Sequence, residues 1–245
     1  SVVAENTVRV IEFQDVRPDI IEKQIEAVFE DIPPDAVKIG MLSCREGMLA
    51  VKRKLDKWKP SNVVIDPVMY AKNGCALMDP DSIDTLIAEI VPLADVLTPN
   101  IPEAEKITGI HIHTQEDMER AVRCIHEMGC QAALVKGGHS KGDATDILFD
   151  GTGYHRFTCP RIHTKNTHGT GCTYSSAIAA NLALGMSVQQ AVEHAKKYVT
   201  TAIAHSLDLG KGHGPTHHFY DLYKHLERNK TDSQSKQKNE GSAGV

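Results

Sequence analysis

Four short apolar stretches alternate with helical patterns in this chain, and the alternation constrains its fold more than any other feature. The stretches are AVKIGM (36–41), NVVIDPVM (62–69), ADVLTPN (94–100) and AALVKGG (132–138). Apolar runs of this length between amphipathic helices are typical of βαβ units, whose parallel strands are buried between helices. We therefore expect an α/β fold of three layers, doubly wound around a mostly parallel sheet.

The helical patterns predict seven helices. In the first, Ile21, Ile25, Val28 and Phe29 recur at helical spacing and would form one buried face. The expected helices span 18–30, 46–58, 80–91, 115–129, 172–185, 188–206 and 216–228. The run DILFDGTGYHRFT (146–158) predicts a β-hairpin that turns at GTG. Residues 229–245 are polar and are expected to be a disordered tail.

Composition excludes several classes of partner. The 245 residues include 27 Lys and Arg against 32 Asp and Glu, and the net charge of −5 argues against nucleic acids and anionic membranes. No run approaches the ~18 apolar residues of a transmembrane helix, and SVVAENTVRV lacks the layout of a signal peptide. Six cysteines without a CxxC pair indicate free thiols in a reducing compartment. We expect a cytoplasmic protein that acts on a small molecule, and a homodimer is left open.

Polar residues and glycines follow every one of the predicted strands. The carboxyl ends of parallel strands share one edge of the sheet, where the loops face helix N-termini. The residues brought to this edge are Gly40, Met41, Asp66, Asn100, Lys136, Gly137, Gly138 and His139. A single polar strand end is typical of a solvated loop, whereas four in a row favour a ligand site.

The same edge carries the groups that phosphoryl transfer requires: a cradle for phosphate oxygens, a cation, and a base near the acceptor hydroxyl. HGTG (168–171) brings backbone N–H groups to a helix that begins near Cys172, which favours anions. Asn100 and Glu103 lie at a strand-to-helix junction, where a carboxylate is able to orient the waters of Mg²⁺.

Two further charges would support this chemistry. Asp66 is able to reach the same metal or the phosphates, and Lys72 would place a positive charge on the transferring phosphoryl group. None of these signals is specific alone, because HGTG is neither the P-loop GxxxxGK[ST] nor the dinucleotide fingerprint GxGxxG. Their order and joint placement carry the prediction.

In this order the motifs resemble those of the hydroxymethylpyrimidine/phosphomethylpyrimidine kinases of thiamine biosynthesis, members of the ribokinase-like superfamily. The matching motifs are KIGM, VVIDPVM-AK-G, LTPN-PEAE, VKGGH, TKNTHGTGCT and GPTHHF. The resemblance implies a ribokinase-like kinase domain over 1–228. It also implies that ATP, with Mg²⁺, phosphorylates 4-amino-5-hydroxymethyl-2-methylpyrimidine and then its monophosphate. A requirement for a monovalent cation is left open.

The resemblance further implies a role for Cys172. In the wider superfamily the corresponding residue is usually an Asp that takes the proton from the acceptor hydroxyl. A thiolate stabilised by a helix N-terminus is able to act as that base, and a thiol adds no permanent charge beside an anionic monophosphate. The alternative is a small residue that packs the helix start. Gly169, Thr170 and Gly171 would line the anion hole.

The resemblance places nucleotide and substrate as well. The nucleotide side would consist of Asp66, Lys72, Asn100, Glu103, Lys136 and Gly138, with Asn100 and Glu103 also organising Mg²⁺. The pyrimidine would lie beside Val3, Glu5 and Met41. Relatives often carry Gln in place of Glu5, and a carboxylate accepts a hydrogen bond from the ring's exocyclic amine but cannot donate one. Ring specificity is therefore predicted less sharply than reaction type.

Relatives begin with a strand, a glycine-rich loop, a helix and a second strand before the stretch that matches SVVAENT. We expect these 245 residues to be a fragment rather than a true short form. A chain of these residues alone would be weakly stable and poorly active, because strand edges and apolar helix faces would stay uncovered.

Three other functions stay open. The first is a pyridoxal or pyridoxine kinase, which shares the fold, although Cys172 favours the pyrimidine family. The second is a non-catalytic pyrimidine-binding relative, against which the combination of anion hole and metal-organising pair argues. The third is a cysteine hydrolase with His168 as its base, for which no nucleophile elbow is present.

Overall fold

A six-stranded sheet forms the centre of the computed structural model, which describes residues 1–71, 74–139 and 142–226. In order across the sheet, its strands are β3 (Val37–Ile39), β4 (Val63–Ile65), β5 (Val96–Leu97), β6 (Ala132–Val135), β7 (Ala144–Phe149) and β8 (Tyr154–Cys159). The first four run parallel, and the last two add to them antiparallel. The α/β class with a mostly parallel sheet is confirmed, as is the hairpin predicted at 146–158.

Helices cover both faces of this sheet and make three layers. They are α1 (Pro18–Asp31), α2 (Arg45–Trp58), α3 (Ile83–Thr85), α4 (Ile101–Thr108), α5 (Gln115–Glu127), α6 (Thr170–Ala183) and α7 (Val188–Ala204). Ile65 and Leu97 pack into the core formed with α2, α4 and α5, whereas Val64 and Val96 pack into the core formed with α6 and α7. The central strands β4, β5 and β6 are buried on both faces, which is why they are apolar throughout instead of alternating.

Helix α5 shows how local sequence defines these elements. Thr114 caps its N-terminus by accepting a hydrogen bond from the N–H of Asp117, and Asp117 accepts one in return from the N–H of Thr114. Met118, Val122 and Ile125 then recur at helical spacing and are buried in the core. The sequence therefore sets both the start and the buried face of this helix.

Residues 1–14 form a separate antiparallel hairpin of β1 (Val2–Glu5) and β2 (Val10–Gln14). The turn of this hairpin is bound to a later segment, since Thr7 accepts hydrogen bonds from the N–H groups of Gly212 (to Oγ1, 3.2 Å) and His213 (to the carbonyl, 2.8 Å). These two strands were not predicted from the sequence. Most of their residues are exposed, so they lack the alternation that marks a half-buried strand.

The structure corrects two helix predictions. The region predicted as a helix at 80–91 consists of successive 3₁₀, α and π turns that end at Leu93, and Pro92 cannot donate the N–H that a regular helix needs there. Helix α4 was absent from the predicted set, although Asn100 and Glu103 were placed at a strand-to-helix junction.

Several predicted boundaries also change, and Val28, predicted on the buried face of α1, is 52% exposed. Helix α6 begins at Thr170 instead of Cys172, and α7 ends at Ala204 instead of 206. Of the predicted helix at 216–228, the described part is helical at 220–226. The predicted tail lies outside the described residues, and the predicted extent of the domain stays a prediction. No helix within the described ranges has the length and apolar character to cross a membrane.

Candidate active site at the carboxyl edge of the sheet

A tight turn leads into the first turn of α6. Gly169 is the N-cap residue and has φ 77°, in the left-handed region that favours glycine. The Thr170 hydroxyl donates a 2.8 Å hydrogen bond to the carbonyl of Thr167 and fixes the turn. Among the residues that the structure describes, none accepts a hydrogen bond from the N–H of Gly171 or Cys172. These two groups point from the positive end of the helix dipole and are able to bind an anion.

The side chain of Cys172 is exposed on this first turn. Because α6 begins two residues before the predicted position, Cys172 belongs to the turn that carries the open N–H groups. Cys130 provides a contrast, since it is buried and burial raises its thiol pKa to about 12. Cys172 is therefore accessible to an acceptor molecule, whereas Cys130 is inert at neutral pH.

A buried cluster of three charged side chains, Asp66, Glu103 and Lys136, lies against the anion hole and is called the site cluster here. Lys136 Nζ is 2.6 Å from Asp66 Oδ1, and the side chains are 13% and 2% exposed. A Cβ atom at Gly171 would lie 3.4 Å from Lys136 Nζ and 3.6 Å from Asp66 Oδ2. Burial alone would lower the pKa of Lys136, but Asp66 and Glu103 outweigh burial and raise it. A fixed positive charge therefore lies directly beside the anion hole.

Neighbouring strand ends bring the site cluster together. Asp66 follows β4 and donates its N–H to the carbonyl of Ile39, while its Oδ1 accepts a 3.3 Å hydrogen bond from Thr98. Lys136 follows β6 and donates its N–H to the carbonyl of Pro99. This is the arrangement expected where parallel strands end at one edge.

Asn100 and Glu103 form a capping box at the start of α4. Asn100 Oδ1 accepts a 3.0 Å hydrogen bond from the N–H of Glu103, and Glu103 Oε2 accepts one of 2.8 Å from the N–H of Asn100. Glu103 is 3% exposed, and burial raises its carboxyl pKa while the Lys136 charge offsets part of the rise. The spacing predicted as a metal-organising pair thus caps a helix. The oxygen donors of Asn100, Glu103 and nearby Asp66 are also of the kind that Mg²⁺ prefers.

The remaining predicted residues differ in how closely they approach this cluster. Glu5 ends β1, and its Oε1 lies 3.8 Å from Nε2 of His168, directly before the anion hole. Met41 lies half-buried in the loop after β3, and Val3 lies within β1. Gly138 lies two residues after Lys136 in the sequence, and Lys72 lies outside the described residues.

The structure argues against the cysteine hydrolase. Within the described part of the chain, His168 faces the Glu5 carboxylate and makes no hydrogen bond with the thiol of Cys172. A thiol nucleophile would need such a base within reach.

Two charged residues near the site were not predicted from the sequence. Asp146 lies in β7 and Lys196 lies on the buried face of α7, and both residues are buried. A usable signal was present, because Lys196 occupies a helical position between Val192 and Val199 at which an apolar residue is expected.

Known proteins that are similar to this chain identify its family. A family model described as phosphomethylpyrimidine kinase matches residues 1–217. The chain belongs to the phosphomethylpyrimidine kinase family. It is 48% identical over 216 residues to the thiamine biosynthesis bifunctional protein ThiED of Geobacter sulfurreducens, covering 88% of this chain and 44% of that protein. It is 42% identical over 221 residues to the hydroxymethylpyrimidine/phosphomethylpyrimidine kinase of Bacillus subtilis, covering 89% and 82%.

Solved structures agree with this family. The crystal structure of phosphomethylpyrimidine kinase from Clostridium difficile is 46% identical in sequence and has a TM-score of 0.74. The match covers 82% of this chain and 83% of the Clostridium difficile chain. A pyridoxal kinase of Staphylococcus aureus in complex with AMP-PCP and pyridoxal has a TM-score of 0.80 at 30% identity, covering 88% and 79%. The comparisons confirm the predicted family, the ribokinase-like fold and the prediction of a hydroxymethylpyrimidine/phosphomethylpyrimidine kinase of thiamine biosynthesis. Pyridoxal kinases are more distant in sequence.

Proposed function

We propose that the anion hole and the site cluster together transfer the γ-phosphoryl group of ATP to 4-amino-5-hydroxymethyl-2-methylpyrimidine and then to its monophosphate. One observation carries this proposal: the open N–H groups of Gly171 and Cys172 lie against the buried Asp66–Lys136 pair. A phosphoryl group needs donors and positive charge at the same point, and this is where the chain supplies both.

Each residue of the site has a distinct role in this proposal. The backbone at 169–172 binds oxygens of the transferring group, and Lys136 neutralises the charge that develops on them. The exposed Cys172, as its thiolate, takes the proton from the acceptor hydroxyl and becomes the thiol. Asp66 holds Lys136 at the anion hole through the 2.6 Å ion pair.

The residues present also fit a magnesium ion bound with ATP. Asn100, Glu103 and Asp66 would hold it, directly or through water, because their amide and carboxylate oxygens are hard ligands. The bound ion would supply further neutralisation of the phosphate oxygens. The nucleotide would extend toward Gly138, and the phosphate-binding role of Lys72 stays a prediction. The cytoplasmic location stays a prediction, and a homodimer and a monovalent-cation requirement stay open.

The acceptor ring is the least constrained part of the proposal. Glu5 lies beside the anion-hole segment, and Val3 and Met41 would complete the pocket for the pyrimidine. The TM-score of 0.80 to a pyridoxal kinase favours pyridoxal as a second acceptor to test.

The experiment measures ATP consumption with hydroxymethylpyrimidine, its monophosphate and pyridoxal as acceptors. Cys172→Ala is compared with Cys124→Ala, a control in α5. We expect turnover of both pyrimidines, a loss of about 10²–10⁴-fold in kcat with Cys172→Ala, and no change with the control. Turnover of pyridoxal alone would move the assignment to a pyridoxal kinase. Binding of the pyrimidine without turnover would favour the non-catalytic relative.

A further inference from the structure

A second buried ion pair lies outside the site cluster. Lys196 Nζ, on α7, is 2.7 Å from Asp146 Oδ2, on β7, and the two side chains are 9% and 3% exposed. Lys196 also donates a 3.0 Å hydrogen bond to the carbonyl of Ala144. We call Asp146 and Lys196 the enclosed pair. None of the roles proposed above uses it.

The second oxygen of Asp146 binds the main chain next to the site. Asp146 Oδ1 accepts a 2.9 Å hydrogen bond from the N–H of Gly137, the residue that follows Lys136. A Cβ atom at position 137 would lie 1.8 Å from the carbonyl oxygen of Thr145, so this segment packs directly against β7. The next carbonyl, that of Gly138, accepts a 2.8 Å hydrogen bond from Arg161. The path of the chain at 136–138 is therefore fixed from the side of β7.

The enclosed pair also contacts the helix that carries the anion hole. The ring of Tyr174, on α6 just after Cys172, lies 6.0 Å from Lys196 Nζ. Burial, together with the negative charge of Asp146, raises the pKa of the Tyr174 phenol. The enclosed pair thus lies between the two segments that meet in the site, α6 and 136–138.

Stability alone does not explain a charged pair at this position. The cost of desolvating two buried charges offsets much of their attraction, and apolar residues of similar volume often stabilise a fold as well. A carboxylate offers something that an apolar residue cannot, namely a charge-assisted hydrogen bond to a main-chain N–H at a fixed point. In this protein that N–H belongs to Gly137, the residue next to Lys136.

We propose that Asp146 and Lys196 are positioning residues for phosphoryl transfer: they hold Gly137, and through it they keep Lys136 at the anion hole. The kinetic consequence rests on the proposed function. The geometric consequence, a protected amide at Gly137, does not depend on it. A misplacement of about 1 Å at a reacting group is able to lower a rate by about 10²-fold, so a modest shift of this segment would be measurable.

The experiment uses the full chain and the double variant Asp146→Asn/Lys196→Met, which removes both charges at similar volume. Its matched control is Val199→Ala, which creates a cavity on the buried face of the same helix. We expect the double variant to lose about tenfold in kcat, to keep the KM of the acceptor, and to exchange the Gly137 amide about tenfold faster. Lys196→Arg, which keeps the charge, should retain most of the rate. Val199→Ala should lower the thermal midpoint without either change.

Two results would overturn the proposal. One is a double variant with the kcat and Gly137 amide protection of the wild type. The other is a loss of kcat in Val199→Ala as large as that in the double variant, with the same thermal midpoint in both variants. If the wild-type chain turns over no acceptor, the proposed function fails separately. Gly137 exchange then decides the geometric part, with faster exchange in the double variant supporting it and unchanged exchange overturning it.

Discussion

The two buried lysine–carboxylate pairs have nearly equal geometry but different surroundings. Nζ–O distances are 2.6 Å for Lys136–Asp66 and 2.7 Å for Lys196–Asp146. Both oxygens of Asp146 accept short hydrogen bonds from the protein, at 2.7 and 2.9 Å. By contrast, Asp66 Oδ2 accepts a long one of 3.5 Å from Ser175 and faces the anion hole. The same kind of ion pair therefore fixes the main chain when it is enclosed, and is available to a ligand when it lies at a sheet edge.

Among changes at the two ion pairs, Lys136→Met has the largest expected effect. This change removes the positive charge beside the anion hole and should lower kcat by about 10²–10³-fold, the usual cost of deleting one stabilising donor. Steady-state kinetics at saturating ATP and acceptor measure it. Lys197→Met is the control, since Lys197 is exposed and pairs with Glu193 on the surface of α7. If Lys136→Met lowered kcat less than Lys196→Met, the pair at the sheet edge would matter less for catalysis than the enclosed pair, contrary to this prediction.

Gly137→Ala tests the enclosed pair through stability. The added methyl group would lie 1.8 Å from the carbonyl oxygen of Thr145, so the backbone must move, and we expect a loss of about 3 kcal/mol in the free energy of unfolding. Urea denaturation measures this loss. Gly138→Ala is a matched neighbour with open space at its Cβ position and should stay within about 0.5 kcal/mol of the wild type. Equal stability of both variants would show that 136–138 is not packed as described.

Much of the fold and the anion hole was predictable, because the signals are local. Strands buried on both faces, such as Ala132–Val135, must be apolar throughout, and their spacing defines the βαβ order. The turn at 168–171 is also local, since the left-handed conformation of Gly169 limits what can precede α6.

What could not be predicted depends on long-range contacts or on ambiguous spacing. Asp146 and Lys196 are 50 residues apart, and nothing local announces that they pair. The spacing of Asn100 and Glu103 is the same for a helix cap and for a metal-organising pair, and the burial of Glu103 is known only once the strands are assembled. The β1–β2 hairpin escaped prediction because its faces are largely exposed.

Gly171→Ala should separate stability from activity at the site cluster. The new methyl group would lie 3.4 Å from Lys136 Nζ and 3.6 Å from Asp66 Oδ2, distances that the fold accommodates. Alanine within a helix stabilises by about 0.5–1 kcal/mol relative to glycine. We therefore expect unchanged or raised stability but a loss of about tenfold in kcat/KM for ATP, because the methyl group covers the open N–H groups.

Ser176→Ala, exposed on the same helix, is the control for Gly171→Ala and should leave kcat/KM unchanged. A marked destabilisation by Gly171→Ala would contradict the prediction, because it would place Gly171 in the same tightly packed class as Gly137.

The smallest expected effect is that of Glu103→Gln, and its size depends on pH. Burial raises the pKa of Glu103, so the fold favours the protonated carboxyl, and the stability this group contributes is lost as pH rises through its folded pKa. Gln resembles the protonated form and still accepts the hydrogen bond from Asn100. The variant should match the wild type near pH 4 and melt about 2–4 °C higher at pH 8, the shift that about 1 kcal/mol produces in a chain of this size.

Asp146→Asn should behave in the opposite way at pH 8, because it leaves the buried charge of Lys196 without its carboxylate. Thermal melts of both variants without ligand at the two pH values provide the measurement, with exposed Glu116→Gln as the control. If Glu103→Gln also melted lower at pH 8, its carboxylate would be stabilising the fold as Asp146 does. The site cluster would then serve the stability of the fold. The buried carboxylate of Glu103 would no longer be evidence that this edge of the sheet binds a ligand.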